Sequence, residues 1–336
     1  MIKNIFSLFL TAFGLIFFYC FRKTPDIFYQ SYVKSYCFTR GVSQKFIFTI
    51  CKIFSLDKKI RESDFKTSLS KEYNFNKINE EINENGYYIF EELLNEDLVD
   101  SITQFSLSTR CFFYDQYKKK NFGYYEKNLD NYIATKYDYE ENDLYNNETI
   151  KSLLLDKNFI KIANNFFGSK PIYSAINMWW SPVAKKKIDF ELELQNQTAQ
   201  LFHFDLDRIK WLKFFIYLTD TSEYDGPHEY VEGSHKVFAK PSEIAKLGYQ
   251  RIPSNLIDKY YPGKLKKVTG KKGTIFVGDT SAIHRGLPPL MNNRLILVIE
   301  YANSLFGSEY NKIKSNILGE SKSKYNFLIK EKVLQS

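Results

Sequence analysis

The second half of the chain is a succession of short β-rich runs, and this pattern restricts the fold more than any other feature of the sequence. After residue 170, apolar stretches recur at short intervals: IYSAINMWW, TAQLFHFD, LKFFIYLTD, EYV, GTIFVGD and RLILVIEYA. Turn-forming segments separate them, among them SEYDGP, EGS, TGKKG and PPLMNN. Many short strands after a helical first half predict a β-sandwich or barrel flanked by helices, a mainly β fold of the α+β type.

The first half of the chain is predicted to be mainly helical. The run NKINEEINENGYYIFEELLNEDLVDSITQFSL predicts a helix that ends at Gly86, a strand over Tyr87–Phe90 and a second helix from about Asn95. The run IKSLLLDKNFIKIANNFFGS predicts one further amphipathic helix, which ends at Gly168. Residues 112–148 are rich in Tyr and Asn and have little periodicity, so we interpret them as either a lid over a substrate site or surface coil.

These patterns divide the chain into four parts. Residues 1–23 form an apolar N-terminal segment, and residues 24–75 form an irregular, partly helical extension that ends in a polar linker near 58–75. Residues 76–305 form the folded domain, and residues 306–336 form a C-terminal tail.

The N-terminal segment contains an uncharged apolar run, Ile5–Phe21, at the lower length limit for crossing a membrane. Basic residues are in excess after this run, which predicts that the folded domain lies on the cytoplasmic side. No small-x-small motif follows the run, and this disfavours a cleaved signal peptide. We expect membrane attachment through residues 5–21; the alternative is an apolar helix that packs on the domain or lies in the membrane interface.

The composition limits the classes of partner. Hydrophobic residues make up 44% of the chain, enough for a large core, and the net charge of +8 comes mostly from scattered Lys. The longest basic runs, Lys118–Lys120 and Lys185–Lys187, do not form the basic stripe that a nucleic-acid site requires, so we predict no nucleic-acid partner. The four cysteines show no paired spacing, which argues against a disulfide framework and fits a reducing compartment.

The segment QLFHFDLDRIK places His203 and Asp205 two residues apart. On a β-strand, side chains two residues apart point to the same face, so an imidazole and a carboxylate would be presented together, as adjacent metal ligands must be. The alternative is a strand end that leads into a polar turn. Asp207, two residues further on, fits that turn better than it fits the ligand set.

A later segment, GTIFVGDTSAIHRGLPPLMNNRLILVIEYA, offers a third ligand and an anion-binding group. A strand that ends near Asp279 leads to His284 in a loop or short strand, and Arg294 opens the next strand. Two histidines and one carboxylate on one face of a metal leave coordination positions open, an arrangement that suits non-haem Fe(II). Arg294 stands out because the chain has only eight Arg, and a planar guanidinium can hold a carboxylate through two hydrogen bonds.

The order of these motifs resembles the phytanoyl-CoA dioxygenase-like branch of the Fe(II)- and 2-oxoglutarate-dependent dioxygenases. The resemblance rests on His-x-Asp, then YLTDTSEYDGPHEYVEGSHK, then GTIFVGDTSAIHRG, then Arg ten residues after the His, and it covers residues 77–305. It implies a double-stranded β-helix (jelly roll) core with a helical N-terminal part.

Carried over by position, the resemblance implies that His203, Asp205 and His284 bind Fe(II) and that Arg294 binds the distal carboxylate of 2-oxoglutarate. O2 is the third reactant, and the implied reaction hydroxylates a small molecule with release of succinate and CO2. Related halogenases have Gly or Ala at the position of Asp205, so a carboxylate here implies hydroxylation.

The sequence departs from the family pattern at two places. Some branches have Ser or Thr two residues after the Arg to share the carboxylate of 2-oxoglutarate, but this chain has Ile296. We therefore expect a second contact from Lys213 or Tyr217 on the neighbouring strand. In GPHEYVEGSHK, His228 and Glu229 replace residues that are usually apolar, and the sequence does not assign them a role.

Several questions stay open at the level of sequence. Family substrates include acyl-CoAs, amino acids, sugars, lipids and secondary metabolites, and the apolar N-terminus favours a lipid or lipid-linked substrate only modestly. Two alternatives to a dioxygenase are a non-catalytic jelly-roll binding module and a cupin-like metalloenzyme that does not use 2-oxoglutarate. The sequence does not indicate an oligomeric state.

Overall fold

A computed structural model of the chain describes residues 2–21, 23–54, 67–115, 119–128, 134–183 and 200–308. In chain order, the helices are α1 Ile2–Phe21, α2 Asp26–Thr39, α3 Val42–Phe54, α4 Phe75–Asn85, α5 Glu96–Ser108, α6 Tyr125–Asn128, α7 Glu141–Asn146, α8 Glu148–Leu154, α9 Lys157–Phe167, α10 Ser242–Ala245 and α11 Ser254–Tyr260. The strands are β1 Tyr87–Ile89, β2 Cys111–Tyr114, β3 Lys120–Gly123, β4 Tyr137–Asp138, β5 Ile172–Ser181, β6 Trp211–Tyr217, β7 His228–Val231, β8 Leu265–Val268, β9 Ile275–Gly278, β10 His284–Gly286 and β11 Arg294–Ala302.

The described strands form two antiparallel sheets. The larger has the order β1-β9-β6-β11-β5-β4-β2-β3, and the smaller has the order β10-β7-β8. Neighbours in the large sheet are mostly distant in sequence, as expected when successive strands alternate between two facing sheets. This arrangement confirms the predicted mainly β, jelly-roll fold with flanking helices.

Alternation along the central strands gives the large sheet two apolar faces. On β6, Phe214 and Ile216 belong to the main core, which packs under helices α4, α5, α8 and α9. Phe215 and Tyr217 on the same strand point the other way and join a second cluster, which includes Tyr230 of the small sheet. Because side chains two apart share a face, odd positions of β6 and even positions of β11 line the space between the sheets. Candidate site residues lie on this inner face.

The helices around the large sheet follow the predicted pattern with one difference. Gly86 and Gly168 end α4 and α9 with positive φ angles of 97° and 63°, where glycine lacks the strain of a Cβ. The predicted single helix before Gly168 is two helices, α8 and α9. Asp156 breaks it because its carboxylate accepts hydrogen bonds from the backbone N–H groups of Asn158 and Phe159 and so caps a new helix.

Three other predicted segments differ from the structure. The run TAQLFHFD was expected to be a strand, but its described part, from residue 200, has only one isolated bridge residue, His203. The extension after residue 24 was expected to be irregular and only partly helical, but two regular helices, α2 and α3, cover most of its described part. Within 112–148, strands β2, β3 and β4 extend the large sheet, so this region is neither a lid nor coil where it is described. Part of the predicted linker, 55–66, lies outside the described residues.

Helices α1, α2 and α3 pack on the domain next to the segment that follows residue 200. Their buried residues Phe18, Tyr32 and Tyr36 share an apolar cluster with Phe202 and Phe204. Helix α1 is also, by length and composition, the one described helix that could cross a membrane, over Asn4–Phe21. Most of that span is not buried in the protein.

Candidate metal centre

Backbone pairing brings the two histidines of the candidate site together. His203 N donates to His284 O over 3.0 Å, and His284 N donates to His203 O over 2.9 Å. Asp205 is held by a similar bond, from its backbone N to Thr280 O over 2.9 Å. The His-x-Asp segment therefore lies beside the start of β10, although it is not itself a regular strand.

The three side chains converge on one point. Nε2 of His203 lies 3.8 Å from Oδ1 of Asp205, and Nε2 of His284 lies 3.8 Å from Oδ2 of the same carboxylate. One ligand atom from each residue lies within 4.8 Å of the others, and this group is the candidate cluster found among the described residues. Ligand atoms of one ion bound at about 2.0–2.2 Å lie close together in this way.

Each histidine presents the nitrogen that a metal would use. Nδ1 of His203 lies 2.8 Å from Leu201 O, and Nδ1 of His284 lies 2.9 Å from Ala282 O. A carbonyl oxygen can only accept, so Nδ1 carries the proton and Nε2 keeps its lone pair. Hydrogen bonds of this kind fix the tautomer and orientation of metal-binding histidines.

Burial keeps both imidazoles neutral, the form that binds metals. Burial, reinforced by the neighbouring His284, lowers the pKa of His203 to about 3. Burial also lowers the pKa of His284. The two side chains are therefore unprotonated across the physiological pH range.

A buried lysine balances the negative charge of the candidate carboxylate ligand. Burial alone would raise the pKa of Asp205, but Lys213 and the two histidines outweigh it and hold that pKa below its usual range. Nζ of Lys213 lies 2.8 Å from Oδ2 of Asp205 and 3.4 Å from Oε2 of Glu300. Asp205 is thus ionised, and Lys213 fixes its orientation.

Asp207 lies outside the group of converging ligand atoms. Its Oδ1 accepts a hydrogen bond of 2.7 Å from the Tyr249 hydroxyl, which in turn contacts the Tyr29 hydroxyl of α2. Burial, followed by repulsion from Asp205, raises the pKa of Asp207. The two acids of the motif therefore occupy different environments, and Asp207 serves the contact with the N-terminal helices.

Arg294 is buried with much of its hydrogen-bonding capacity unused. The residue is 4% exposed, and its Nη2 donates to Ser181 Oγ over 3.1 Å. Within the described residues, Nε and Nη1 have no hydrogen-bond partner. Unpaired buried N–H groups of a cation are costly, so they indicate a site for an anionic ligand.

The structure places the two other predicted cosubstrate residues in different surroundings. Lys213 pairs in register with Glu300, which is six residues from Arg294 along β11, so the backbone positions of Lys213 and Arg294 lie roughly 20 Å apart along the strand direction. The Tyr217 hydroxyl donates to Val268 O over 2.8 Å and accepts from His228 N over 3.0 Å. Both side chains are thus engaged by the protein, although Tyr217 faces the same space as Arg294.

His228 is a candidate site residue whose role sequence reasoning left open. Its ring stacks on His284, with centroids 5.3 Å apart and planes at 12°. It is 8% exposed, and its Nε2 has no hydrogen-bond partner among the described residues. Burial, and then the neighbouring His284 and Arg294, lower its pKa well below the usual value. The only signal in the sequence was a polar residue where the family pattern has an apolar one.

The neighbouring replacement, Glu229, has a structural partner. Its Oε2 lies 2.6 Å from Nε of Arg285 on the paired strand β10. The Arg285 guanidinium also lies over the Phe202 ring, 4.0 Å from its centroid. This pair joins β7 to β10 and so supports the strand that carries His284.

The two sheets and the three converging side chains define a jelly-roll protein with a candidate two-histidine, one-carboxylate metal centre. No protein-family model matches the chain, and no curated protein matches it.

Solved structures do match the chain, among them the following three. The epimerase SnoN from nogalamycin biosynthesis, in complex with Fe3+, alpha ketoglutarate and nogalamycin RO, is 13% identical over 68% of this chain and 82% of its own, with a TM-score of 0.48. EctD from S. alaskensis with bound Fe is 13% identical over 73% of this chain and 81% of its own, with a TM-score of 0.46. HygX from Streptomyces hygroscopicus with nickel and 2-oxoglutarate bound is 15% identical over 70% of this chain and 89% of its own, with a TM-score of 0.43. Similarity at this level does not define a family for the chain, and the fold is established by its own two sheets.

Proposed function

We propose that this protein is an Fe(II)- and 2-oxoglutarate-dependent dioxygenase that hydroxylates a small molecule. The observation that carries the proposal is the pairing of two features on one inner face. Three ligand atoms converge within 4.8 Å, and the buried Arg294 guanidinium has N–H groups that no described residue accepts. A metal alone would explain the first feature but not the second, whereas a metal-chelating dicarboxylate explains both.

The spacing between the two features fits the proposed cosubstrate. Nη2 of Arg294 lies over Gly286 of β10, where an added Cβ would be 3.5 Å away. Gly286 is two residues from His284, which is roughly 7 Å along a strand. A five-carbon keto diacid that binds the metal through its keto oxygen and near carboxylate can place its far carboxylate at that distance.

The residues of the chain would have separate tasks. His203, Asp205 and His284 would hold Fe(II) on one face and leave the opposite face open. Arg294 would hold the distal carboxylate of 2-oxoglutarate and so orient the keto acid. Lys213 would keep Asp205 ionised and aligned. With Fe(II) bound, the chemistry supplied is the reduction of O2, in which 2-oxoglutarate becomes succinate and CO2 and the substrate gains one hydroxyl oxygen.

The branch and the substrate class are finer proposals. The motif order favours the phytanoyl-CoA dioxygenase-like branch, and Asp205 favours hydroxylation. A lipid or lipid-linked substrate is the class that we propose to test first, because α2 connects apolar helix α1 to residues 202–208, the segment that carries His203 and Asp205. On α2, the Tyr32 hydroxyl donates to Arg208 O over 2.8 Å, and the Tyr36 ring lies 5.9 Å from that of Phe204.

Succinate formation tests the proposed reaction. The full-length protein is incubated with Fe(II), ascorbate, O2 and 2-oxoglutarate, with and without candidate lipids, and succinate and oxygenated products are measured by mass spectrometry. We expect succinate from the wild type. We expect Arg294→Lys to lower kcat/KM for 2-oxoglutarate at least about tenfold, because Lys keeps the charge but lacks the planar fork.

Arg110→Lys is the matched control, since Arg110 is exposed and directly precedes β2, near the end of the large sheet away from β6 and β9. It should leave succinate formation unchanged. If the protein binds the metal but forms no succinate under any of these conditions, it is a non-catalytic binding module. Oxygenation that does not need 2-oxoglutarate, or that survives Arg294→Lys at full rate, would identify a cupin-like metalloenzyme instead.

A further inference from the structure

Helix α1 contacts the protein mainly through small and polar residues, with Phe18 as the exception. Its buried positions, Ser7, Thr11, Gly14 and Phe18, follow the four-three-four spacing of one helix face. The Thr11 hydroxyl lies 3.1 Å from that of Ser35 on α2, so polar groups fill part of this contact. At Gly14 the two helices approach so closely that an added Cβ would stand 2.5 Å from Cβ of Phe28 on α2.

The opposite side of α1 is strongly apolar and exposed. Phe6, Phe9 and Ile16 are 61%, 70% and 63% exposed. A helix on a water-soluble domain normally buries its large apolar residues and exposes its polar ones. In α1 the order is reversed, as it is in helices that pack through small residues and turn their large apolar side chains toward lipid.

Helix α3 extends this apolar side. The Tyr19 hydroxyl of α1 lies 3.7 Å from Sγ of Cys51 on α3, so the two helices are neighbours. On α3, Phe46 is 66% exposed and Ile50 is 36% exposed. The exposed apolar residues of α1 and α3 together form what we call the apolar face.

The charge around this face indicates which apolar surface it contacts. Residues 1–54 contain seven basic residues and a single acidic one, Asp26. Lys45, next to Phe46 on α3, is exposed, and so are Lys23 and Lys34. Large apolar side chains within a basic segment are typical of helices that lie on anionic membranes. A second copy of this chain would bring the same positive charges together and be repelled.

We propose that the apolar face of α1 and α3 lies in the surface of an anionic lipid bilayer, with α1 parallel to the membrane plane rather than crossing it. The folded contacts of α1 support this orientation. Phe18 is fully buried, its ring lies 5.9 Å from that of Phe306 in the domain, and Phe13 and Phe17 both contact Phe28. A helix that crossed the bilayer would have to give up these contacts.

Vesicle binding by the full-length protein tests this proposal. We expect co-sedimentation with vesicles of phosphatidylcholine and phosphatidylserine, weaker binding to phosphatidylcholine alone, and weakening by salt. Phe9→Gln combined with Phe46→Gln should lower the partition coefficient at least about tenfold, because two large apolar side chains no longer enter the lipid. Leu290→Gln combined with Met291→Gln is the matched control, since these residues are 63% and 66% exposed but lie in the loop between β10 and β11.

Depth measurements separate the parallel orientation from a crossing helix. Trp is introduced by Phe9→Trp and, separately, by Phe46→Trp, and its quenching by lipids brominated at different depths is compared with the wild-type signal. The proposal predicts that both probes lie at the same shallow depth. A probe at position 9 near the bilayer centre, with position 46 in water, would overturn it in favour of a crossing helix. A stable dimer that ignores vesicles would overturn it in favour of a second copy on the apolar face.

Discussion

At the scale of single residues, the candidate site depends on buried polar groups whose partners are only partly supplied by the protein. Asp205 has Lys213, and each candidate metal-binding histidine has a backbone carbonyl for its Nδ1. Arg294 and His228 instead have buried nitrogen atoms without a hydrogen-bond partner among the described residues. Such atoms are expected to find partners in a ligand, because an unpaired buried polar group costs about 1–3 kcal/mol.

His228 is predicted to provide the second contact to 2-oxoglutarate, in place of the Ser or Thr that Ile296 replaces. His228→Leu should weaken 2-oxoglutarate binding by about 10-fold or more, the loss expected for a hydrogen bond to a charged group. His228→Gln, which keeps a polar group near the position of Nε2, should retain most of the affinity. Anaerobic calorimetry with the Fe(II)-loaded protein measures both values. Equal affinities for the wild type and the Leu variant would contradict this role, whereas a wild type that binds Fe(II) but not 2-oxoglutarate would contradict the proposed function itself.

Lys213 is predicted to be a stabilising residue of the folded protein as well as a positioning residue. Lys213→Met leaves Asp205 and Glu300 buried without their cation and should lower the free energy of unfolding by about 3–5 kcal/mol. Adding Glu300→Gln to that variant removes one of the two unpaired charges and should restore part of the loss. Urea denaturation checks both values. An unchanged stability in the single variant would show that the ion pair does not hold the carboxylate in place.

At the scale of secondary-structure elements, the segment that carries His203 and Asp205 is held between β10 on one side and α2 on the other. Lys240 connects this region: its Nζ donates to Tyr36 of α2 over 3.1 Å and to Ser234 O over 2.7 Å, and it lies over the Phe204 ring. Burial lowers the pKa of Lys240 to about 7. The contact between α2 and the domain thus contains a lysine whose charged form is disfavoured by burial.

Because the pKa of Lys240 is lowered in the folded protein, we predict that the stability of the protein depends on pH. In the unfolded chain Lys240 binds a proton up to its ordinary pKa of 10.5, whereas in the folded protein it releases that proton above about 7. The unfolded state therefore binds more protons between these values, and stability should rise with pH across this window. Lys240→Met should raise stability near pH 7 and flatten the slope between pH 7 and 10. Denaturation curves at several pH values measure this, and an unchanged slope in the variant would refute it.

The sequence predicted elements well where local signals were strong and poorly where packing decided the outcome. Gly86 and Gly168 end helices as expected, because glycine adopts without strain the left-handed backbone conformation that ends a helix. The segment that carries His203 and Asp205 was predicted to be a strand, but it forms only a single bridge, from His203 to His284. That bridge is a tertiary contact, which the local sequence pattern cannot reveal. The orientation of α1 could not be predicted either, because the sequence indicates an apolar helix but not which of its sides packs against α2.

At the scale of the whole molecule, the fold brings together residues that are 81 positions apart in the chain. The pairing of His203 with His284 explains how two motifs in separate halves of the β-rich region form one centre. The sequence placed these residues in one candidate site through their resemblance to a family pattern. It did not reveal that Lys213 lies with Asp205 instead of with Arg294, because that depends on the register of β6 against β11.

The central claim is that these residues bind Fe(II) and 2-oxoglutarate together, and the most direct measurement is an anaerobic absorption spectrum. We predict that the purified protein gives a weak metal-to-ligand charge-transfer band only when both Fe(II) and 2-oxoglutarate are present. The band should disappear in Asp205→Ala and His284→Ala and persist in the control His235→Ala, with circular dichroism confirming that each variant is folded. A band that is absent from the wild type, or that survives in the Asp205 and His284 variants, would contradict the account.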